Sequence, residues 1–69
     1  MKEAPRQIEI NAEWQFNYDC LLHTLKRLKE ADTYSAAHYY ALETCRIIMK
    51  FHDLREEYIS IDNLNAGGH

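Results

Sequence analysis

From Asp32 to Asn63 the chain runs without a glycine or a proline, so nothing in that stretch forces a helix to stop. Within it Tyr40, Thr44, Ile47, Phe51, Leu54, Tyr58 and Ile61 recur at steps of four and three. That spacing gathers side chains on one side of a helix. Asp32 or Ser35 can cap its start by accepting hydrogen bonds from the free N–H groups of the first turn. A helix of about two dozen residues would be about 36 Å long. It cannot bury its own apolar side, so something must lie against it.

The stretch before it supplies a second helix. Asn11 suits an N-cap, and Glu13 falls in the first turn, where a carboxylate meets the positive end of the helix. Trp14, Tyr18, Leu21, Leu25 and Leu28 then follow at steps of four and three, a seam of the coiled-coil kind. Lys26, Arg27 and Lys29 sit in the last turns, where cations suit the negative end. Glu30 to Thr33 reads as the turn. Two helices joined so briefly run antiparallel. With the turn near residue 32, positions whose numbers sum to about 64 lie side by side. Trp14 then meets Phe51, and Ile10 meets Leu54.

The sequence therefore predicts an all-α, antiparallel two-helix hairpin in a single domain of residues 1–69. Residues 1–10 form an arm, loose over Met1 to Gln7. Ile8-Glu9-Ile10 could be briefly extended, but three residues make no independent strand, and its two Ile side chains are expected to fold onto the end of the long helix. Helices follow at 11–30 and 33–61, and residues 62–69 form a flexible tail, being polar and then Gly-rich.

A 69-residue chain buries little surface alone and often needs a staple or a second subunit. Here more apolar surface is present than one seam can use. Phe16 and Leu22 lie off the seam of the first helix, and Leu42, Cys45 and Met49 flank that of the second. Burying a side chain of this size is worth about 1.5–3 kcal/mol, enough in sum to oppose the entropy lost on association. These five residues are the expected dimer interface, with two hairpins forming a four-helix arrangement. A monomer whose stripe curls over the tail is the alternative.

The net charge is −3, and residues 31–69 carry three cations against six carboxylates. No dense basic block is present to neutralise phosphates. Met1 to Ile10 lacks the apolar core of a secretory signal, no apolar run approaches the ~20 residues of a membrane span, and two cysteines make no disulfide framework. The expected setting is the cytoplasm. His38, Cys45 and His52 are spaced by seven, about 10.5 Å along a helix, too far for ligands about 2.0–2.3 Å from one zinc. Cys20 and Cys45 fall at nearly the same level, so a cross-helix disulfide is open under oxidation. No phosphate loop, His-Glu-x-x-His pattern or nucleophile–base set is readable. No cofactor, metal or catalysis is expected.

The polar stripe of the second helix is Tyr39, Glu43, Arg46, Lys50, Asp53 and Glu57. Tyr39 is its one aromatic, and tyrosines offer large contact area with a polar handle. Tyr39, Glu43 and Arg46 are the candidate protein-binding residues, with Glu13, Tyr34 and Tyr40 as weaker ones.

Asn11-Ala12-Glu13-Trp14 and Ala36-Ala37-His38-Tyr39-Tyr40, with the length and acidic hairpin character, carry a resemblance. The chain resembles the small anti-quorum-sensing, or anti-activator, proteins of bacteriophages that infect Pseudomonas. The resemblance implies a dimeric hairpin that binds the DNA-binding domain of a LuxR-type transcription regulator and keeps it from promoters. It also implies a second target, a pilus-assembly ATPase, with loss of twitching motility. The site would be the host cell cytoplasm. The competing readings are a structural adaptor and a small dimeric DNA-binding regulator using Lys26, Arg27 and Lys29.

Overall fold

The computed structural model describes the backbone of residues 3–67 and the side chains of residues 3–64. Two helices, α1 (Pro5–Glu30) and α2 (Tyr34–Gly67), make up the fold, with no strand among the described residues.

Helix α1 starts earlier than Asn11 suggests. Pro5 stands in its first turn, where a missing N–H is no loss and the fixed φ suits a helix. Ala4 before it is extended, with φ −65° and ψ 154°. Gln7 closes the end: its Oε1 accepts from the Ala4 N–H at 2.8 Å. The arm expected over residues 1–10 is therefore helical from Pro5 onward, and Ile8-Glu9-Ile10 is not extended; residues 1–2 lie outside the described residues. Asn11 does not cap. It sits inside α1 and its side-chain amide donates to Glu3 Oε2 at 2.9 Å.

The link is Ala31-Asp32-Thr33. The Ala31 N–H donates back to the Leu28 carbonyl at 3.3 Å, and Ala31 turns out of the helix with ψ 128°. Thr33, not Asp32 or Ser35, caps α2. Its Oγ1 accepts from the Ala36 N–H at 3.1 Å. At the far end, residues 62–67 continue the helix where a flexible tail was expected. Their polarity argued for fraying, yet no helix breaker occurs before Gly67, and Asp62 is held by Gln7. Residues 68–69 lie outside the described residues.

The α2 seam matches its spacing. Tyr40, Thr44, Ile47, Phe51, Tyr58 and Ile61 are half-buried and Leu54 is buried. The seam of α1 is not the one its largest residues suggest. Gln7, Ile10 and Asn17 are buried, and Leu21, Thr24 and Leu28 are half-buried. Tyr18 and Leu25, expected inside, are exposed. The expected meeting of Trp14 and Phe51 occurs, with ring centroids 4.9 Å apart.

The Cα envelope measures 56 × 15 × 11 Å, a slab one helix thick. Such a layer covers only the line where its helices touch. That is why Ile10 and Leu54 are its only buried apolar side chains among the described residues. No helix of the described residues is long and apolar enough to cross a membrane.

Candidate functional site

A slab one helix thick presents two broad sides, and the two sides differ in chemistry. One is charged. Arg6 anchors it near the start of α1, its Nε donating to Glu57 Oε2 at 2.5 Å and its Nη2 to Glu57 Oε1 at 2.9 Å. This is the two-pronged arginine–carboxylate geometry. Its Nη1 also donates to Glu13 at 2.9 Å and lies 3.5 Å from Glu9. The Glu57 bonds, then those of Glu13, hold the Arg6 guanidinium far above its ordinary range. In return Arg6 holds the Glu57 carboxyl below its usual value. These groups stay partly exposed, so water and salt screen the pairs.

Beside this network a second polar link joins the helices. Gln7 is 1% exposed. Its Nε2 donates to Asp62 Oδ1 at 2.6 Å and, more loosely, to the Tyr58 carbonyl at 3.5 Å. The Tyr58 hydroxyl donates to Glu3. That bond, then one from Asn11, lowers the Glu3 carboxyl from its ordinary value, and the same Glu3 raises the Tyr58 hydroxyl. Among the described residues no buried side-chain nitrogen or oxygen lacks a partner.

The other side is apolar. An open groove of about 480 Å³ runs between the helices, floored by Ile10, Trp14, Phe51 and Leu54 and edged by Arg55 and Ile59. Trp14 stacks on Tyr18, centroids 5.7 Å apart and planes 9° apart. Leu22 and Leu25 follow Tyr18 at steps of four and three, and Ile48 precedes Arg55 by seven, so all three continue the groove side.

The candidate binding residues scatter over these surfaces. Tyr39 is exposed and meets Tyr40 edge-on, ring centroids 5.2 Å apart. Tyr40 itself is half-buried in the α2 seam. Glu43 is half-buried and accepts from Arg46 at 3.2 Å. Glu13 is engaged by Arg6. Tyr39, Glu43 and Arg46 thus lie together on α2, whereas Glu13 belongs to the Arg6 network on α1.

The five residues expected at a dimer interface do not share one side either. Leu22 lies on the groove side. Phe16, 68% exposed, is two residues from Trp14 and so points away from the groove. Leu42, Cys45 and Met49 form an exposed stripe on the outer side of α2. Spacing alone could not separate these surfaces, because it gives angles about one helix but not where its neighbour lies. Sequence reasoning missed Arg6, placed in the expected arm, and Gln7. The signal for Gln7 was the Pro5-x-Gln7 start, with a glutamine at the third helical position where its side chain can reach back to the cap.

His38 and His52 are exposed, and both thiols are free, Cys20 half-buried and Cys45 exposed. Among the described residues no group of three or more His, Cys, Asp or Glu could hold a metal ion. Against protein-family models, curated proteins and solved structures, the chain has no match.

Proposed function

We propose that this chain is a small, non-enzymatic protein-binding inhibitor, an antiparallel hairpin that pairs with a second copy into a four-helix arrangement and occludes a host protein. The observation that carries this reading is the surplus of apolar surface. Among the described residues two apolar side chains are buried while thirteen large ones stay exposed, more than scattered surface residues account for. The Trp14–Phe51 and Arg6–Glu57 contacts support the antiparallel course.

The partner proposed is the DNA-binding domain of a LuxR-type regulator in the host cytoplasm, with a pilus-assembly ATPase as a second target. Both come from the resemblance. The net charge of −3 suits a basic, DNA-reading surface, and Tyr39 with Glu43 and Arg46 is the proposed contact. Such a complex weakens as salt rises.

The test is a gel shift with promoter DNA and the regulator's DNA-binding domain. Adding the chain should abolish the shifted band, and Tyr39→Ala should restore it. A regulator–DNA band that persists in excess chain would contradict the proposal. So would a shift of DNA by the chain alone.

A further inference from the structure

Resting on the proposal above that the chain pairs with itself, we infer that the second copy seats on the groove side. That face is made by Trp14, Tyr18, Leu22 and Leu25 of α1 with Ile48 and Ile59 of α2. The charged side then stays free for the partner protein.

Four observations lead there. The first is the placement of large residues on α1. Its seam against α2 includes Gln7, Asn17 and Thr24, while Trp14, Tyr18, Leu22 and Leu25 stand on the flank at 40, 41, 50 and 37% exposure. A helix that packed only on α2 would hold its largest apolar side chains in that seam. A helix with two adjacent stripes belongs in a bundle, where it touches two neighbours.

The second is matched shape. The flanking stripe repeats at steps of four, four and three, the pitch that accepts another helix. Ile48 and Ile59 on α2, 53 and 36% exposed, widen it across both helices. An identical hairpin brings an identical stripe.

The third is area. The six side chains are 36 to 53% exposed and run along both helices, beside an open groove lined largely by apolar residues, and a standard interface buries about 800 Å² per partner. The outer surfaces offer less: Phe16 stands on one helix, and Leu42 and Met49 on the other.

The fourth is charge. Each copy carries −3, so copies repel unless they meet where carboxylates are sparse. The lining of the groove contains none; Arg55, paired with Glu56 at 3.6 Å, borders it, and Lys26 and Lys29 stand with the single carboxylate Glu30 beside Leu22 and Leu25. On the opposite side Arg6 is already engaged with Glu57 and Glu13.

The test uses the full chain. Wild-type Trp14, the single tryptophan, should be shielded from acrylamide at high concentration and become accessible on dilution, in step with the fall in sedimenting mass. Leu22→Glu and Ile48→Glu should weaken pairing at least about tenfold, as loss of a central contact does. Leu42→Glu and Met49→Glu should change it less than about twofold, with helicity by circular dichroism retained. Dissociation by the Leu42 and Met49 variants, or by neither pair, overturns this face while leaving pairing intact. So does a dimer in which Trp14 stays accessible. A wild-type chain that is monomeric throughout overturns the pairing itself, and the face with it.

Discussion

Gln7 donates to Asp62 across 2.6 Å while its carbonyl oxygen accepts from the Ala4 N–H at 2.8 Å. One buried amide thus caps the first helix and ties it to the end of the second. Replacing it removes both bonds at once and leaves the Ala4 donor unpaired.

Gln7→Ala is therefore expected to lower stability by about 1–3 kcal/mol, the range for a lost cap together with a buried hydrogen bond. Thermal unfolding by circular dichroism checks this. Residues 59–64 should also exchange their amide hydrogens faster in the variant, since Asp62 loses its tether.

Acid should loosen the same end. Glu57 and Glu3 both titrate below their ordinary value of 4.5, Glu57 because of Arg6 and Glu3 because of Tyr58. A carboxyl depressed in the folded state contributes stability above its unfolded value and loses it as pH falls through the folded one. The melting temperature is expected to drop below about pH 4.5, and less steeply in Glu57→Gln. Tyr58, raised by Glu3, has the opposite sign: its contribution is present below 10.0 and is lost as pH climbs through the raised value. Equal acid profiles for wild type and Glu57→Gln would rule out the Arg6 contact as the source.

The two adjacent tyrosines should separate binding from folding. Tyr39 is exposed and Tyr40 half-buried. Tyr39→Ala should leave the melting temperature nearly unchanged and weaken partner binding by about 2 kcal/mol or more. Tyr40→Ala should cost about 1–3 kcal/mol of stability, less than a fully buried aromatic would. Paired melting and binding titrations read both effects.

Among the described residues Leu54 is the most buried large side chain of α2, at 4% exposure, and lines the groove floor with Ile10. Leu54→Ala should cost about 2–5 kcal/mol. A fold this thin has no second layer to absorb the loss. Chemical denaturation should show a lowered midpoint, and an unchanged one would contradict the packing described.

How much of this could be read from residues alone differs between the helices. The α2 side facing α1 was legible because its spacing is regular from Tyr40 to Ile61. On α1 the same rule misled. It favours the largest apolar residues, and here Tyr18 and Leu25 stand on the flank while Asn17 and Thr24 take the inner line. Asn17 can lie inside because its amide donates to the Glu13 carbonyl at 2.7 Å, a local bond that composition does not announce. The early start of α1 was hidden by the polarity of Met1 to Gln7, although Pro5 there stands where a helix tolerates proline. The candidate binding surface was only partly legible. Tyr39, Glu43 and Arg46 share a helical stripe by spacing, but the engagement of Glu13 by Arg6 depends on side chains in three dimensions.

Among the described residues Ile10 and Leu54 are the two buried apolar side chains, and pairing with a second copy would complete that interior. Sedimentation equilibrium of the wild-type chain at micromolar concentration reads the pairing. The expected result is a species of twice the 8.2 kDa chain mass that dissociates on dilution. A fully helical species of 8.2 kDa at every concentration would contradict it.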